Sequence, residues 1–295
     1  MTRSAVSSRA IDGADAVFIA VTGNHHHAVL DALAPILRAG QSVIISSHCS
    51  FGALILAERL RARDMALPII AWGSTVVTGR RAEPLTVKIS NIRRRLDMAA
   101  IGEGSRGEGL SLCRDLFGDR FQERAGIVAI TLSNVNAQNH LALALCNLTR
   151  IERGEAWGNY AGITASVGRL MEALDAERLA LAAAFGVEVR SVREHFHLSF
   201  DVKLGSVAEM AKAIDARGGA PNGPTSMDTR YVLEDVPFGI VPVERLGRIA
   251  GVPTPLHGAG IDMFNALYGR DFRSENDLLA ALPAKALTKE ALAAA

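Results

Sequence analysis

The 295-residue sequence has little that would tie it to a membrane, a nucleic acid or a disulfide framework. No apolar run approaches the roughly 18 residues of a spanning helix. Arg3 and Arg9 lead into Asp12 and Asp15 rather than into an uninterrupted apolar leader. Lys and Arg number 32 against 31 Asp and Glu, so the net charge of +1 gives no global field for nucleic acid or an anionic bilayer. Any charged ligand must be held locally. Three cysteines, Cys49, Cys113 and Cys146, are odd in number and far apart, which suits a reducing compartment and implies no thiol chemistry. Aromatic residues make up 5% and charged ones 21%, leaving 49% hydrophobic, enough for real cores and too much for disorder. The chain is expected to be soluble and cytoplasmic and, at about 150 residues per domain, to hold two domains.

Residues 15–21 (DAVFIAV) form a short apolar, β-branched run, the pattern of a strand buried on both faces of a parallel sheet. A helix is expected over 28–37, with Val29, Leu33, Ile36 and Leu37 at helical spacing and Gly40 as its stop, before a second apolar run at 42–45. Residues 51–63 repeat the helical pattern through Leu54, Ile55 and Leu60, and 67–72 read as a third strand. Such a β-α-β-α-β series predicts a doubly wound parallel sheet. What this half lacks is the strand, G-x-G-x-x-G turn and helix with which a dinucleotide-binding fold opens. Nothing before Asp15 supplies them. Residues 102–109 (GEGSRGEG) match by letters only, follow no convincing strand, and read as a solvent loop.

The second half changes period. Residues 135–153, 167–185, 207–217, 242–250 and 255–268 carry helix-spaced apolar positions, and strand runs become scarce. A Gly/Pro-rich segment, 218–224 (GGAPNGP), leads into the run RYVLED at 230–235. A long polar loop inside a compact domain is more often functional than idle.

Three runs, RYVLEDVPFGIVPVERLGRIAGVPTP (230–255), SNVNAQNHLALALCNLTRIERG (133–154) and VTGNHHHAVLDALAPILRAGQ (21–41), together resemble the opine dehydrogenase family, which includes octopine and nopaline dehydrogenases. The resemblance spans nearly the whole chain from Asp15 on, the family's first strand, glycine-rich turn and first helix having no counterpart here. It implies α/β plus all-α architecture: an incomplete Rossmann-like parallel-sheet domain over 1–132, followed by an α-helical substrate and catalytic domain over 133–295. It implies NAD or NADP as cofactor, bound poorly for want of the turn, and an amino acid and a 2-oxo acid as small-molecule partners in reductive condensation or its reverse. No nucleic acid or membrane partner is expected, and a homodimer is allowed. Carried residue by residue, the catalytic histidine falls on His140 and its partner aspartate on Asp235. A carboxylate contact falls on Arg230, and a polar position of the motif on Asn136, four residues before His140 on the same helical face. The cofactor side falls on Thr22, where the family usually has proline, and on His26, which aligns with a family histidine.

The chemistry so implied needs proton transfer near neutral pH, a clamp for carboxylates and a hydride donor. Histidine, with an unperturbed pKa near 6.5, suits the first, and a neighbouring aspartate fixes its tautomer and stabilises the imidazolium. Arginine forks both oxygens of a carboxylate. Taken without the resemblance, the same residues also fit plainer roles. A histidine beside LALALCNL fits a packed core position, Asp235 a cap for the helix after Pro237, Arg230 a surface ion pair with Glu234 or Asp228, and Asn136 a helix cap. Rival functions are another two-domain 2-oxo or hydroxy-acid reductase, reducing a carbonyl rather than an imine, and a truncated non-catalytic homologue that binds no cofactor.

Three further clusters of charged or titratable residues stand out in the sequence. His25, His26 and His27 stand where a strand end meets a helix start, the crevice in which open α/β sheets bind ligands, yet consecutive histidines point in different directions and at least two read as half-exposed loop residues. His195 and His197 would share one face of an extended segment, with Glu194 nearby, but lack a third ligand at diagnostic spacing. No metal is expected. The run Arg93, Arg94, Arg95 with Lys88 reads as a solvated face, since Asp97 and Glu103 follow closely.

Overall fold

A computed structural model of the chain describes residues 8–102 and 107–295. The chain divides into two compact units, one made by the residues up to Ser133 together with Asp277–Ala295, the other by Asn134–Asn276.

The first unit is built on a five-stranded sheet. Its elements in chain order are β1 (Ala16–Ile19), α1 (Gly23–Leu33), β2 (Ser42–Ile45), α2 (Gly52–Arg61), β3 (Ile69–Trp72), a hairpin of β4 (Val77–Glu83) and β5 (Thr86–Ile92), then β6 (Leu96–Ile101), α3 (Glu108–Phe117), β7 (Phe121–Glu123) and α4 (Gly126–Ser133). The sheet order is β1-β2-β3-β6-β7. β1, β2 and β3 run parallel, with Val17 opposite Val43 and Ile44 opposite Ile70. The purely parallel sheet expected above needs one correction: β6 is antiparallel to β3, pairing Trp72 with Met98. The β4–β5 hairpin between the two strands lets the chain return beside β3 in the opposite direction. β7 then pairs parallel to β6.

β2 and β3 are apolar on both faces because helices cover both, and every residue of β3 is buried. Ile44, Ile70, Trp72, Met98, Cys113 and Phe121 form one core cluster in which the Trp72 indole donates to the Cys113 thiol at 3.3 Å. Burial pushes that thiol up to about 11, which leaves it inert. β1 departs from its expected double burial: it is an edge strand, and Phe18 is 46% exposed although its ring leans on Trp72 at 5.3 Å between centroids.

α1 starts at Gly23, so the three histidines lie in its first turns rather than in a loop. It ends at Leu33, and Arg63 donates to the carbonyls of Ala34 and Leu37, which satisfies backbone acceptors that follow the helix end. Leu30 and Leu33 on α1 and Leu56 and Leu60 on α2 are buried, each worth about 1.5–3 kcal/mol of transfer free energy. Residues 102–109 do follow a strand and precede a helix, contrary to expectation; the strand was unreadable because LDMAAI carries Asp97, whose burial is made tolerable by Arg124 at 3.0 Å. Residues 103–106 themselves lie outside the described residues.

The second unit is helical: α5 (Asn136–Cys146), α6 (Leu148–Glu152), α7 (Ala165–Ala184), α8 (Val192–Phe200), α9 (Val207–Asp215), α10 (Arg230–Leu233), a π-helical turn Val236–Ile240, α11 (Val241–Ala250) and α12 (Pro255–Tyr268). The single helix expected over 135–153 breaks at Asn147, whose buried amide donates to the carbonyls of Leu143 and Gly162. α8 replaces the extended segment expected around His195 and His197. Ser191 and Glu194 close a capping box at its start, so Glu194 serves the helix rather than a metal. α13 (Asp277–Ala281) and α14 (Lys289–Ala294) return to the first unit, whereas the family resemblance implies a second domain that runs to residue 295. Each is short and buries a single leucine, Leu278 or Leu292, too little to choose a partner from sequence. Among the described residues no helix is long and apolar enough to cross a membrane.

Candidate active site

The site of the second unit grows from a close approach of α5 and the π-helical turn. Asn134 accepts the Asn136 amide and starts α5, which then carries Ala137 and His140. A Cβ placed on Gly239 would stand 2.5 Å from that of Ala137, so only glycine lets the turn settle this close. Pro237 occupies the turn's start, and the carbonyl of Pro237 accepts from the buried Asn276 amide at 2.6 Å. π-helical turns are rare and recur at functional sites. Asp235, just before the turn, makes no capping hydrogen bond to it. Its carboxylate instead lies 2.7 Å from His140 Nδ1.

The contact assigns the tautomer. A carboxylate can only accept, so His140 donates from Nδ1 and its Nε2 carries the lone pair. No group among the described residues hydrogen-bonds Nε2, and the His140 side chain keeps 18% exposure against 9% for Asp235. Tyr231, one helical turn before Asp235, stacks flat on the imidazole with 3.7 Å between centroids and 8° between planes. The Tyr231 hydroxyl accepts from Asn159 at 2.7 Å. Neither Tyr231 nor Asn159 was found from sequence, although the tyrosine sits inside the RYVLED run. Arg230 lies at the surface with its side chain 58% exposed and pairs Glu234 at 3.3 Å. Asn136 is half-buried and its side-chain amide has no partner among the described residues.

A second histidine and carboxylate meet elsewhere in this unit. His257 Nδ1 lies 2.7 Å from Glu177 Oε2, and the same carboxylate accepts the backbone amides of Leu256 and His257 at the start of α12. Burial alone would raise the Glu177 carboxyl, but the hydrogen bonds from the His257 ring and the two amides hold it below the usual range. His257 is fully buried, and Gln138 approaches its Nε2 at 3.4 Å.

In the first unit, Thr22 is exposed and extended at the carboxyl end of β1, and its hydroxyl contacts Asn24 and His25. His26 corrects the expectation of a cofactor contact. The helix turns its ring into the core, where Nε2 donates to the Val21 carbonyl at 3.1 Å and Nδ1 faces the Cys49 thiol at 3.5 Å, so both nitrogens are engaged. Burial lowers its pKa. His27 reaches Asp31 and Asp277. His48, which sequence reading passed over, is wholly buried and accepts the Ala53 amide on Nε2, and burial lowers its pKa to about 3. It sits in a loop where Ser47, Ser50 and Phe51 all adopt left-handed φ of 55°, 46° and 59°. His195 and His197 lie on α8, where residues two apart do not share a face, and His197 Nδ1 donates to the Val202 carbonyl. Among the described residues no group of three or more His, Cys, Asp or Glu is placed to hold a metal ion.

Residues 123–268 match the family model described as NAD/NADP octopine/nopaline dehydrogenase, alpha-helical domain. Opine dehydrogenase of Arthrobacter sp. (strain 1C) is 33% identical over 283 residues, covering 95% of this chain and 78% of that protein. An octopine dehydrogenase solved with NADH and L-arginine superposes with a TM-score of 0.74 at 16% identity, over 95% of this chain and 76% of that one. A yersinopine dehydrogenase with NADP+ bound does so with a TM-score of 0.66 at 16% identity, over 90% and 78%. At such identities the two structures speak for the fold.

Proposed function

Because the chain belongs to the opine dehydrogenase family, we propose that it is an NAD(P)H-dependent oxidoreductase that condenses an amino acid with a 2-oxo acid and reduces the imine, or runs the reverse. The observation that carries this reading is the His140 and Asp235 contact at 2.7 Å with Nε2 left open. In the condensation, the amine nitrogen bonds to the carbonyl carbon and the oxygen leaves as water. His140 Nε2 takes a proton from the substrate ammonium, which frees the nitrogen lone pair, and returns it to the departing oxygen. Asp235 holds the ring in the tautomer this requires and opposes the positive charge while the proton rests on it. Hydride addition to the imine carbon and protonation of the nitrogen complete the secondary amine.

Arg230 is the carboxylate clamp in this reading. Its exposed pairing with Glu234 is of the kind worth about 0–1 kcal/mol, so exchanging it for a forked substrate carboxylate costs little. Asn136, one turn before His140 with an unclaimed amide, is placed to hydrogen-bond substrate. The helical unit is thus the substrate and catalytic domain and the sheet unit the nucleotide domain. There, Thr22 and the first turn of α1 would hold NAD(P), which supplies the hydride. They fit because Thr22 is exposed at the carboxyl end of a parallel strand, where open sheets take ligands.

The test follows NADH and NADPH absorbance with amino acids and 2-oxo acids supplied singly and together. Consumption only with both substrates supports the proposal. Consumption with a 2-oxo acid alone makes the enzyme a carbonyl reductase, and none in any combination overturns the oxidoreductase reading.

A further inference from the structure

The geometry points to Tyr231 and Asn159 as positioning residues for the His140 ring, tying the proton-transfer group to the Gly/Pro-rich loop at residues 218–224; this rests on the proposed role of His140. A histidine anchored at one nitrogen still rocks about the line of that hydrogen bond, and its free nitrogen sweeps an arc. Asp235 fixes His140 only through Nδ1. The flat stack of Tyr231, 3.7 Å away and 8° from parallel, covers one face and removes the rocking, so that Nε2 keeps one direction.

The stack constrains His140 only if Tyr231 is itself held. Asn159 donates its side-chain amide to the Tyr231 hydroxyl at 2.7 Å, and its backbone amide to the Pro221 carbonyl at 3.0 Å. Two residues earlier, Trp157 is wedged between two glycines. A Cβ on Gly162 would come within 2.4 Å of its ring and one on Gly223 within 2.3 Å, so neither position admits a side chain. The Trp157 indole donates to the Pro224 carbonyl at 3.0 Å. The 218–224 loop therefore acts on His140 through Asn159 and Tyr231, without touching it. This supplies a reason for a glycine at position 223 of the loop.

The test combines turnover with the ¹⁵N signature of the His140 ring in the full chain. Wild type should show one tautomer, protonated on Nδ1. Tyr231→Leu should keep that tautomer but broaden the Nε2 signal through motion of the ring, with kcat down about 10- to 100-fold and the KM for NAD(P)H unchanged. Tyr231→Phe, which keeps the stack but not the tether, should recover only part of the loss, and Asn159→Ala should match it. A Tyr231→Leu protein with the wild-type ring signature and kcat overturns the proposal. Should Tyr231→Leu fail to fold, Asn159→Ala decides alone: it touches a half-buried polar side chain outside the core, and a wild-type signature and kcat there overturn it equally. If His140→Ala keeps full turnover, the proposed function of His140 falls instead, while a broadened ring signal in Tyr231→Leu still demonstrates the positioning.

Discussion

The helical unit holds the same contact twice. His140 with Asp235 and His257 with Glu177 both join an imidazole Nδ1 to a carboxylate at 2.7 Å. They differ in what surrounds them. His257 is fully buried, Gln138 approaches its second nitrogen, and its carboxylate is shared with two backbone amides. His140 keeps a partly exposed ring, an aromatic stack and an unclaimed Nε2. A histidine and a carboxylate in contact are therefore no signature of catalysis. One pair ties α7 to α12, and the other leaves a nitrogen where a substrate can reach it.

The largest effect should come from exchanging the roles of the two histidines. His140→Ala is expected to lower turnover about 10²- to 10⁴-fold with the thermal melt unchanged. His257→Ala should move the melt and leave kcat of the folded fraction within a few fold. The comparison breaks if steady-state assays and calorimetry give the reverse order. Next in size, Glu177→Ala strands His257 and two helix-start amides, and losing one partner of a buried pair costs about 3–5 kcal/mol. Denaturant unfolding should show it, with little change in the pH profile of kcat.

A third histidine sharpens the contrast because it has no carboxylate at all. His48 must stay neutral to accept the Ala53 amide, and burial holds its pKa at about 3 against 6.5 in the unfolded chain. The unfolded state then binds a proton that the folded state refuses. The His48 contribution is complete above pH 6.5 and is lost as pH falls from 6.5 towards 3, about 2 kcal/mol of it by pH 5. His48→Gln, which can still accept from Ala53, should flatten that part of a stability-against-pH curve; an equally steep curve in the variant assigns the acid loss elsewhere. The smallest effect on stability belongs to Arg230→Ala, since an exposed pair is worth about 1 kcal/mol at most. Its KM for the 2-oxo acid should nevertheless rise about 10-fold or more, and an unchanged KM would make the arginine a surface residue only.

How much of this was legible follows from the physics of each segment. β2 and β3 could be read because, Ser42 apart, every residue is buried and apolar. The long helices of the second unit showed because each buries one stripe. The β4–β5 hairpin could not be read: Leu85, Val87 and Ile89 are exposed there, and no burial imposes a period. α8 was hidden because REHFHLSF alternates like a strand while its capping box, Ser191 with Glu194, marks a helix. His140, Asp235 and Arg230 were reached through a motif, whereas Tyr231 and Asn159 depend on a ring stack and a tether across 72 residues of chain that no local pattern encodes.

Trp157 and Trp72 are the two tryptophans of the chain, and each lies buried in a different unit. Intrinsic fluorescence can thus follow each unit separately, and their colours need not carry equal weight. The Trp72 indole sits 3.3 Å from a thiol, an efficient quencher, while the Trp157 ring lies between two glycines with the Arg150 guanidinium 5.4 Å from its centroid. Emission of the native protein should be mostly that of the glycine-clamped tryptophan beside the 218–224 loop. A Trp72→Phe chain would then be an optical gauge of how firmly that loop is seated, readable by red shift and anisotropy before any substrate is known.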